Sequence, residues 1–258
     1  MDEQDFYVER QKRGVSMEKS LIMMAVKEQR NYSSQIVAAK INGEVRDIQT
    51  PFTDSDTISF IELDSSLGWK IYRRSVLFLL IAAVNKIDVS AEVVAKFTVN
   101  KGLYCEIKLP NKDINPDFIA EVDRTMKMMI AENLSIIKHS VPRQEAIELF
   151  RKLGRSGKVN LLSELSQPVI SIYTCENYTD YLYGPMLYET KNLDRFELDY
   201  EPFGVLIRTP DERTNGQIRK RVNQPKFGSI LAESKAWADI LDCRFISDLN
   251  RINREQSI

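Results

Sequence analysis

The stretch that most limits what this chain can fold into is residues 72–86, which reads Tyr-Arg-Arg-Ser-Val-Leu-Phe-Leu-Leu-Ile-Ala-Ala-Val-Asn-Lys. Its apolar side chains fall on several faces of a helix instead of one stripe, so the helix must be covered on several sides. A lipid environment is not the answer, because the longest apolar run, residues 76–84, is far short of the ~20 residues that a spanning helix needs. Other parts of the chain must therefore wrap it. With 258 residues, 43% hydrophobic and 28% charged, the chain can build that core as one large domain or two smaller ones.

The charge balance excludes a global electrostatic partner. Thirty-six basic residues face thirty-seven acidic ones, a formal net charge of -1, so binding to nucleic acid or a membrane surface would have to come from a local patch. Cys105, Cys175 and Cys243 are far apart and lack C-x-x-C spacing, which argues against a disulfide framework and a structural zinc site. Reduced thiols follow, and with an acidic N-terminus in place of a basic, apolar leader a cytoplasmic location is expected.

Elements on either side of the buried helix point to an α+β fold. Ser16 can cap a helix carrying Leu21, Met24 and Ala25. A β-branched stretch at residues 35–41, a tight turn at Asn42-Gly43, a return at residues 45–48 and a third strand at 57–63 follow. Beyond Gly68, strands at 93–99 and 103–109 flank Asn100-Lys101-Gly102, and residues 117–133 place Phe118, Val122, Met126, Met129 and Ile130 on one helical face. Pro142 suits the first turn of a helix whose apolar stripe is Ala146, Leu149, Phe150 and Leu153, with Gly154 closing it. Further strands are expected at 169–173, 193–198 and 204–208. Residues 211–226 read as a polar, basic linker before Phe227, Ile230, Leu231, Trp237, Ile240 and Leu241 recur at helical spacing, and Ser247 can cap one more short helix.

Several of these residues form an ordered set. Gln35-Ile36-Val37-Ala38-Ala39-Lys40-Ile41-Asn42-Gly43, Asp56-Thr57-Ile58 and Ile61-Glu62-Leu63 resemble the TGS domain, a ubiquitin-like β-grasp module at the front of threonyl-tRNA synthetases. Tyr72-Arg73-Arg74-Ser75 with its apolar continuation, Gly102-Leu103-Tyr104-Cys105-Glu106-Ile107 and Asp180-Tyr181-Leu182-Tyr183-Gly184-Pro185-Met186 resemble that family's editing domain. Their wording is similar to uridine-kinase-like bacterial proteins that carry the same front end ahead of a P-loop kinase. The resemblance implies a TGS-like β-grasp domain at 1–67, an editing-like α+β domain at 68–210, and a linker with C-terminal helices at 211–258. It departs at residues 5–12, which leave little room for the first hairpin of a full TGS domain.

The resemblance also locates where chemistry should be. The family's editing domain uses an H-x-x-x-H pair on the opening helix and a Cys and a His in the later motif, and the matching positions here are Arg74, Phe78, Leu182 and Met186. None of these side chains deprotonates a water or holds a metal as imidazole or thiolate does. No catalytic residue, no metal ligand and no cofactor is therefore assigned to this chain. The single histidine, His139, reads as a solvated loop residue before the Pro142 helix. Gly154-Arg155-Ser156-Gly157-Lys158 falls short of a Walker loop, since Lys152 takes the first glycine position and Val159 follows the lysine; it reads as a helix cap and turn. Cys105 and Cys175 read as small buried hydrophobes.

What remains is surface that can bind. Arg73, Arg74 and Lys101 with Tyr72, Tyr104, Tyr181 and Tyr183 form a candidate ligand site of guanidinium and ring faces, suited to a nucleotide, a phosphate or an RNA end. The residues leave a second reading open, in which the arginines are solvated or paired and the tyrosines are core edges. Arg208, Arg213, Arg219, Lys220, Arg221 and Lys226 form a further basic run, solvated if it lies in a linker. The resulting expectation is a non-catalytic binding or regulatory region of a nucleoside-kinase-like protein, whose reading frame continues past Ile258 into the kinase and which needs ATP and Mg only there. A free-standing RNA-binding module and a dimerising scaffold are the alternatives.

Overall fold

The structure is a computed structural model that describes residues 20–99, 101–110, 113–222 and 226–240. The Ser16 cap, the shortened first hairpin, Asn100, Leu241, Cys243 and the Ser247 helix lie outside the described residues. Three small antiparallel sheets surround one long helix, in a mixed α+β arrangement. Helix α1 (Leu21–Glu28) begins at Ser20, whose hydroxyl accepts from the Met23 amide as an N-cap. Strands β1 (Ile36–Ile41), β2 (Glu44–Arg46) and β3 (Ile58–Glu62) form the first sheet in the order β2-β1-β3. Asn42 and Gly43 hold positive φ in the β1–β2 turn, as an Asn-Gly hairpin requires.

Helix α2 (Ser66–Ile87) is 22 residues long, capped by the Ser65 hydroxyl, and starts before the apolar run that marks it in the sequence. Gly68 lies inside its first turn. Its place there reflects close packing, not a break, because a Cβ at that position would meet the Glu62 carbonyl oxygen at 2.1 Å. Trp69, Tyr72, Val76, Phe78, Leu79, Leu80 and Val84 are all buried, on every side of the helix. Burying each such side chain contributes about 1.5–3 kcal/mol.

The remaining elements supply the cover. Strands β4 (Glu92–Val99) and β5 (Gly102–Lys108), helix α3 (Pro116–Ala131), strand β6 (Ile137–Pro142), helices α4 (Arg143–Lys152) and α5 (Ser156–Ser163), strands β7 (Val169–Cys175), β8 (Tyr178–Asp180), β9 (Glu197–Glu201) and β10 (Gly204–Arg208), and helix α6 (Phe227–Ile240) follow in order. The larger sheet runs β4-β5-β10-β9 and the third β6-β7-β8. Alternation within the strands gives each sheet two apolar faces. Cys105, Ile107, Val205 and Ile207 turn toward α2 and α3, while Tyr104 and Leu206 turn outward under Leu231 and Phe227 of α6. Tyr173 and Cys175 face the common core, whereas Ile170 and Ile172 pack on α4 and α5. A bulge in β1 lets both Val37 and Ala38 face α2 while Ala39 faces α1. The core is continuous from the first sheet into the rest of the chain.

The structure corrects several local readings. Residues 193–198 are not a strand: Leu193 is buried in a turn and the strand is β9 at Glu197–Glu201. His139 lies inside β6 opposite Ile172 and is half-buried, not in a solvated loop. Pro142 ends β6, and α4 begins at Arg143. Gly154 does close α4 with a positive φ, and the segment after it forms the short helix α5 instead of a turn. Residues 211–222 are a turn followed by an irregular stretch, closed on itself by Arg219 and Asp211 at 3.3 Å and held to β9 and β10 by Arg221 with Glu201 and by the Arg208 guanidinium, which also pairs with Asp199 at 2.6 Å and donates to the Arg219 carbonyl. Carboxylates on β9 thus pair with Arg208 and Arg221, while Arg213, Lys220 and Lys226 of the same basic run are exposed, as a solvated run would be.

Gly68→Ala is expected to lower the unfolding free energy by about 3 kcal/mol, since neither the β3 backbone nor the helix start can yield 1 Å cheaply. Lys70→Ala, on the exposed side of the same turn, should change it by less than about 0.5 kcal/mol. Urea denaturation of both variants checks this, and equal midpoints would contradict the close helix–strand approach.

Candidate functional site

A cleft of about 410 Å³ opens where the first sheet, the N-terminal half of α2 and the loop after β8 meet. Its size is within the range of small-molecule sites. Each wall has a local cause. The chain leaving β2 brings Arg46 and Asp47; α2 brings Lys70 and Arg74, one turn apart on one face; β6 brings Lys138; and Tyr181, Tyr183 and Gly184 come from the loop.

Polar anchors hold that loop. The Ser75 hydroxyl donates to the Ile71 carbonyl at 3.0 Å and accepts from the Leu187 amide at 2.9 Å, tying the loop to α2 inside the core. The Tyr173 hydroxyl lies 3.1 Å from the Gly184 carbonyl and 3.2 Å from Asp47. Gly184 has φ +94°, and a Cβ there would come within 2.9 Å of the Arg74 guanidinium carbon. Only glycine meets both conditions. Asp180, buried at the base of the loop, accepts from the Tyr178 hydroxyl at 2.8 Å and the Tyr181 amide at 2.7 Å, and pairs with Lys158 at 2.9 Å.

The electrostatics of the cleft are one-sided. Arg46, Lys70, Arg74 and Lys138 line it against the single carboxylate of Asp47. Lys138 is committed, pairing with the buried Asp47 at 2.8 Å, and Arg46 pairs with the exposed Glu44. Arg74 is different. It is half-buried, its Nη1 donates to the Pro185 carbonyl at 2.6 Å, and no carboxylate pairs with it among the described residues. Desolvation pulls its pKa below the ordinary arginine value, opposed by the nearby Tyr173 and Tyr183 hydroxyls. A guanidinium stays charged in such a place, so the fold carries a partly desolvated cation without an anion beside it, a cost that a bound anion would offset.

The structure brings together three of the seven candidate site residues. Arg74, Tyr181 and Tyr183 line the cleft, with Tyr183 78% exposed at its lip. Tyr72 is fully buried, its hydroxyl accepting from the Arg195 amide at 2.7 Å. Arg73 is exposed on another face of α2. Lys101 and Tyr104 belong to the β4–β5 hairpin, where Tyr104 is buried against Phe97 and Phe227 and donates to the Pro202 carbonyl at 2.8 Å.

The positions that the family resemblance marks for chemistry divide in the same way. Arg74 and Leu182 line the cleft, while Phe78 and Met186 are fully buried in the core. Lys158, in the segment that falls short of a Walker loop, is spent on Asp180 and the Tyr181 carbonyl. Cys105 and Cys175 are buried in β5 and β7, and burial pushes each thiol up to about 12.

Sequence reasoning missed Lys70, Arg46, Asp47, Lys138 and Tyr173. The i, i+4 spacing of Lys70 and Arg74 was a readable signal. Arg46 and Lys138 carry none, because only tertiary packing brings β2 beside β6.

The chain is similar to threonine–tRNA ligases. It is 32% identical over 165 residues to that of Syntrophotalea carbinolica, covering 64% of this chain and 26% of the ligase. It is 27% identical over 164 residues to that of Clostridioides difficile, covering 63% and 26%. With the Pelobacter propionicus ligase it shares 24% identity over 222 residues, or 85% of this chain and 34% of the ligase. The chain thus spans about a quarter to a third of the length of these relatives. No family model matches it. Among the described residues, no helix is long and apolar enough to cross a membrane, and no group of three or more His, Cys, Asp or Glu side chains is placed to hold a metal ion.

Cys105 and Cys175 ionise near 12 in the folded protein and at about 8.5 when unfolded. Their stabilising contribution is therefore intact below about pH 8.5 and lost as pH rises toward 12. In a Cys243→Ser variant, native protein at pH 8 is expected to resist alkylation and urea-unfolded protein to react at both thiols. Rapid labelling of the native protein would contradict the burial.

Proposed function

We propose that this chain is a non-catalytic RNA-binding module, related to the front part of threonine–tRNA ligases, that uses the basic cleft as its point of contact. The observation that carries this is Arg74, a half-buried guanidinium with no carboxylate partner among the described residues, at the wall of a cleft where cations exceed carboxylates four to one. The relatives' name places tRNA among their substrates, which makes a tRNA the first ligand to try. Arg74, Phe78, Leu182 and Met186 offer neither a general base nor a metal ligand, so the cleft is read as binding without cleaving. In the same reading, residues 1–67 are a TGS-like β-grasp unit, 68–210 an editing-like domain and 211–258 a C-terminal extension, in a cytoplasmic protein.

The wording Tyr72-Arg73-Arg74-Ser75 and Asp180-Tyr181-Leu182-Tyr183-Gly184-Pro185 favours a more specific version, in which the module serves an attached uridine-kinase-like domain and the cleft tunes that kinase.

RNA binding should weaken with salt. The two cleft cations with no carboxylate partner, Lys70 and Arg74, give an expected slope of log Kobs against log[salt] of about -1.4 for a single strand. Filter binding of an unmodified tRNA across a salt series checks this. A flat salt response or no binding of tRNA at low salt would contradict the RNA reading.

A further inference from the structure

The shape of the cleft narrows the ligand beyond nucleic acid in general. We infer that the cleft takes a terminal phosphate monoester together with the base next to it, with Arg74 and Lys70 on the phosphate and Tyr183 as the stacking face. This rests on the reading of the cleft as an anion site, and it specifies which part of a nucleotide ligand is held.

Three observations carry it. First, Arg74 and Lys70 stand one helical turn apart on the same face, and neither has a carboxylate partner among the described residues. The Pro185 carbonyl fixes the Arg74 side chain through Nη1, which leaves the other guanidinium N–H groups for a planar, two-point grip on phosphate oxygens. Second, the amount of charge matters. Arg46, Lys70, Arg74 and Lys138 against Asp47 and the Glu44 partner of Arg46 leave an excess of two positive charges. A terminal phosphate carries about -1.5 to -2 near neutral pH, whereas an internal diester carries a single charge, so the terminal group fits that excess better. Third, Tyr183 is 78% exposed on the residue just before Gly184. An aromatic ring left open beside a cation pair is a platform for a base, since every base offers a π-face. A site of about 410 Å³ has room for one nucleotide unit, not for a strand passing through.

Two sources share this chemistry, a free nucleoside monophosphate and the phosphorylated end of an RNA. The experiment measures binding by the full chain of AMP, adenosine and inorganic phosphate, and of one RNA octamer with a hydroxyl, a 5′-phosphate or a 3′-phosphate at its end. The expected result is roughly tenfold tighter binding of AMP than adenosine, and of one phosphorylated octamer than its hydroxyl form. Arg74→Gln should abolish that preference. Lys70→Gln, at an exposed position that cannot disturb the core, should reduce it several-fold. Tyr183→Ala should weaken AMP roughly tenfold while leaving inorganic phosphate unchanged.

The outcomes separate the two claims. Equal binding of hydroxyl and phosphate forms, with salt-dependent RNA binding retained, overturns this inference and leaves the RNA-binding reading standing. AMP binding lost in Arg74→Gln, with no octamer bound, supports the inference with a free nucleotide as source and overturns the RNA reading. Preference confined to a phosphorylated octamer supports both. No binding of any ligand, or binding unchanged in Arg74→Gln and Lys70→Gln, overturns the inference.

Discussion

Everything in this molecule is arranged around the burial of α2. A helix with Trp69, Tyr72, Val76, Phe78, Leu80 and Val84 buried has no polar side to give to solvent along most of its length. Three sheets and α3 close around it, and each sheet in turn hides its outer face under a further helix. At about 1.5–3 kcal/mol for each large side chain buried, this helix contributes more to the core than any other single element among the described residues.

The same burial explains where the cleft is. Polar side chains on α2 lie at its two ends: Asn85 and Lys86 in the last turn, and Lys70, Arg73 and Arg74 in the N-terminal half, where they reach the surface or its edge; Ser75 is buried where it satisfies the Ile71 carbonyl and the Leu187 amide. Arg74 comes to rest where the first sheet, α2 and the loop after β8 fail to close completely. Against it stand Gly184, which no other residue could replace without displacing the guanidinium, and Tyr173, whose hydroxyl joins that loop to Asp47. The charge excess is thus built into the packing. Asp47 is already committed to Lys138 and has no spare capacity for Arg74.

The legible parts of the fold were those that local chemistry decides. The apolar run of α2, the Asn42-Gly43 turn, the β4–β5 hairpin and the apolar face of α3 follow from periodicity and turn residues, and each lies within a few residues of its expected place. The misreadings arose where tertiary partners decide. From the sequence His139 falls in a loop because Pro142 looks like a helix start, yet pairing with β7 extends β6 to the proline. In the basic run, Arg208 and Arg221 meet Asp199 and Glu201 on a strand whose pairing the sequence does not reveal, whereas Arg213, Lys220 and Lys226 are exposed as the sequence suggests. The binding surface shows the same limit. Arg74 and the Tyr-Gly-Pro loop can be marked from their wording, and Lys70 from its i, i+4 spacing to Arg74, but Tyr72 and Tyr104 are core residues, and Arg46 and Lys138 enter only through the packing of distant segments.

The account stands on the claim that the uncompensated guanidinium of Arg74 makes this cleft, and no other surface, the place where an anion binds. Backbone amide NMR during titration with AMP tests that most directly. The account predicts fast, saturable shifts at Asp47, Lys70, Arg74, Tyr183 and Gly184, with Lys101 and Tyr104 on the β4–β5 hairpin unmoved. Shifts centred on that hairpin or on the turns at 211–222, with the cleft amides silent, would contradict it.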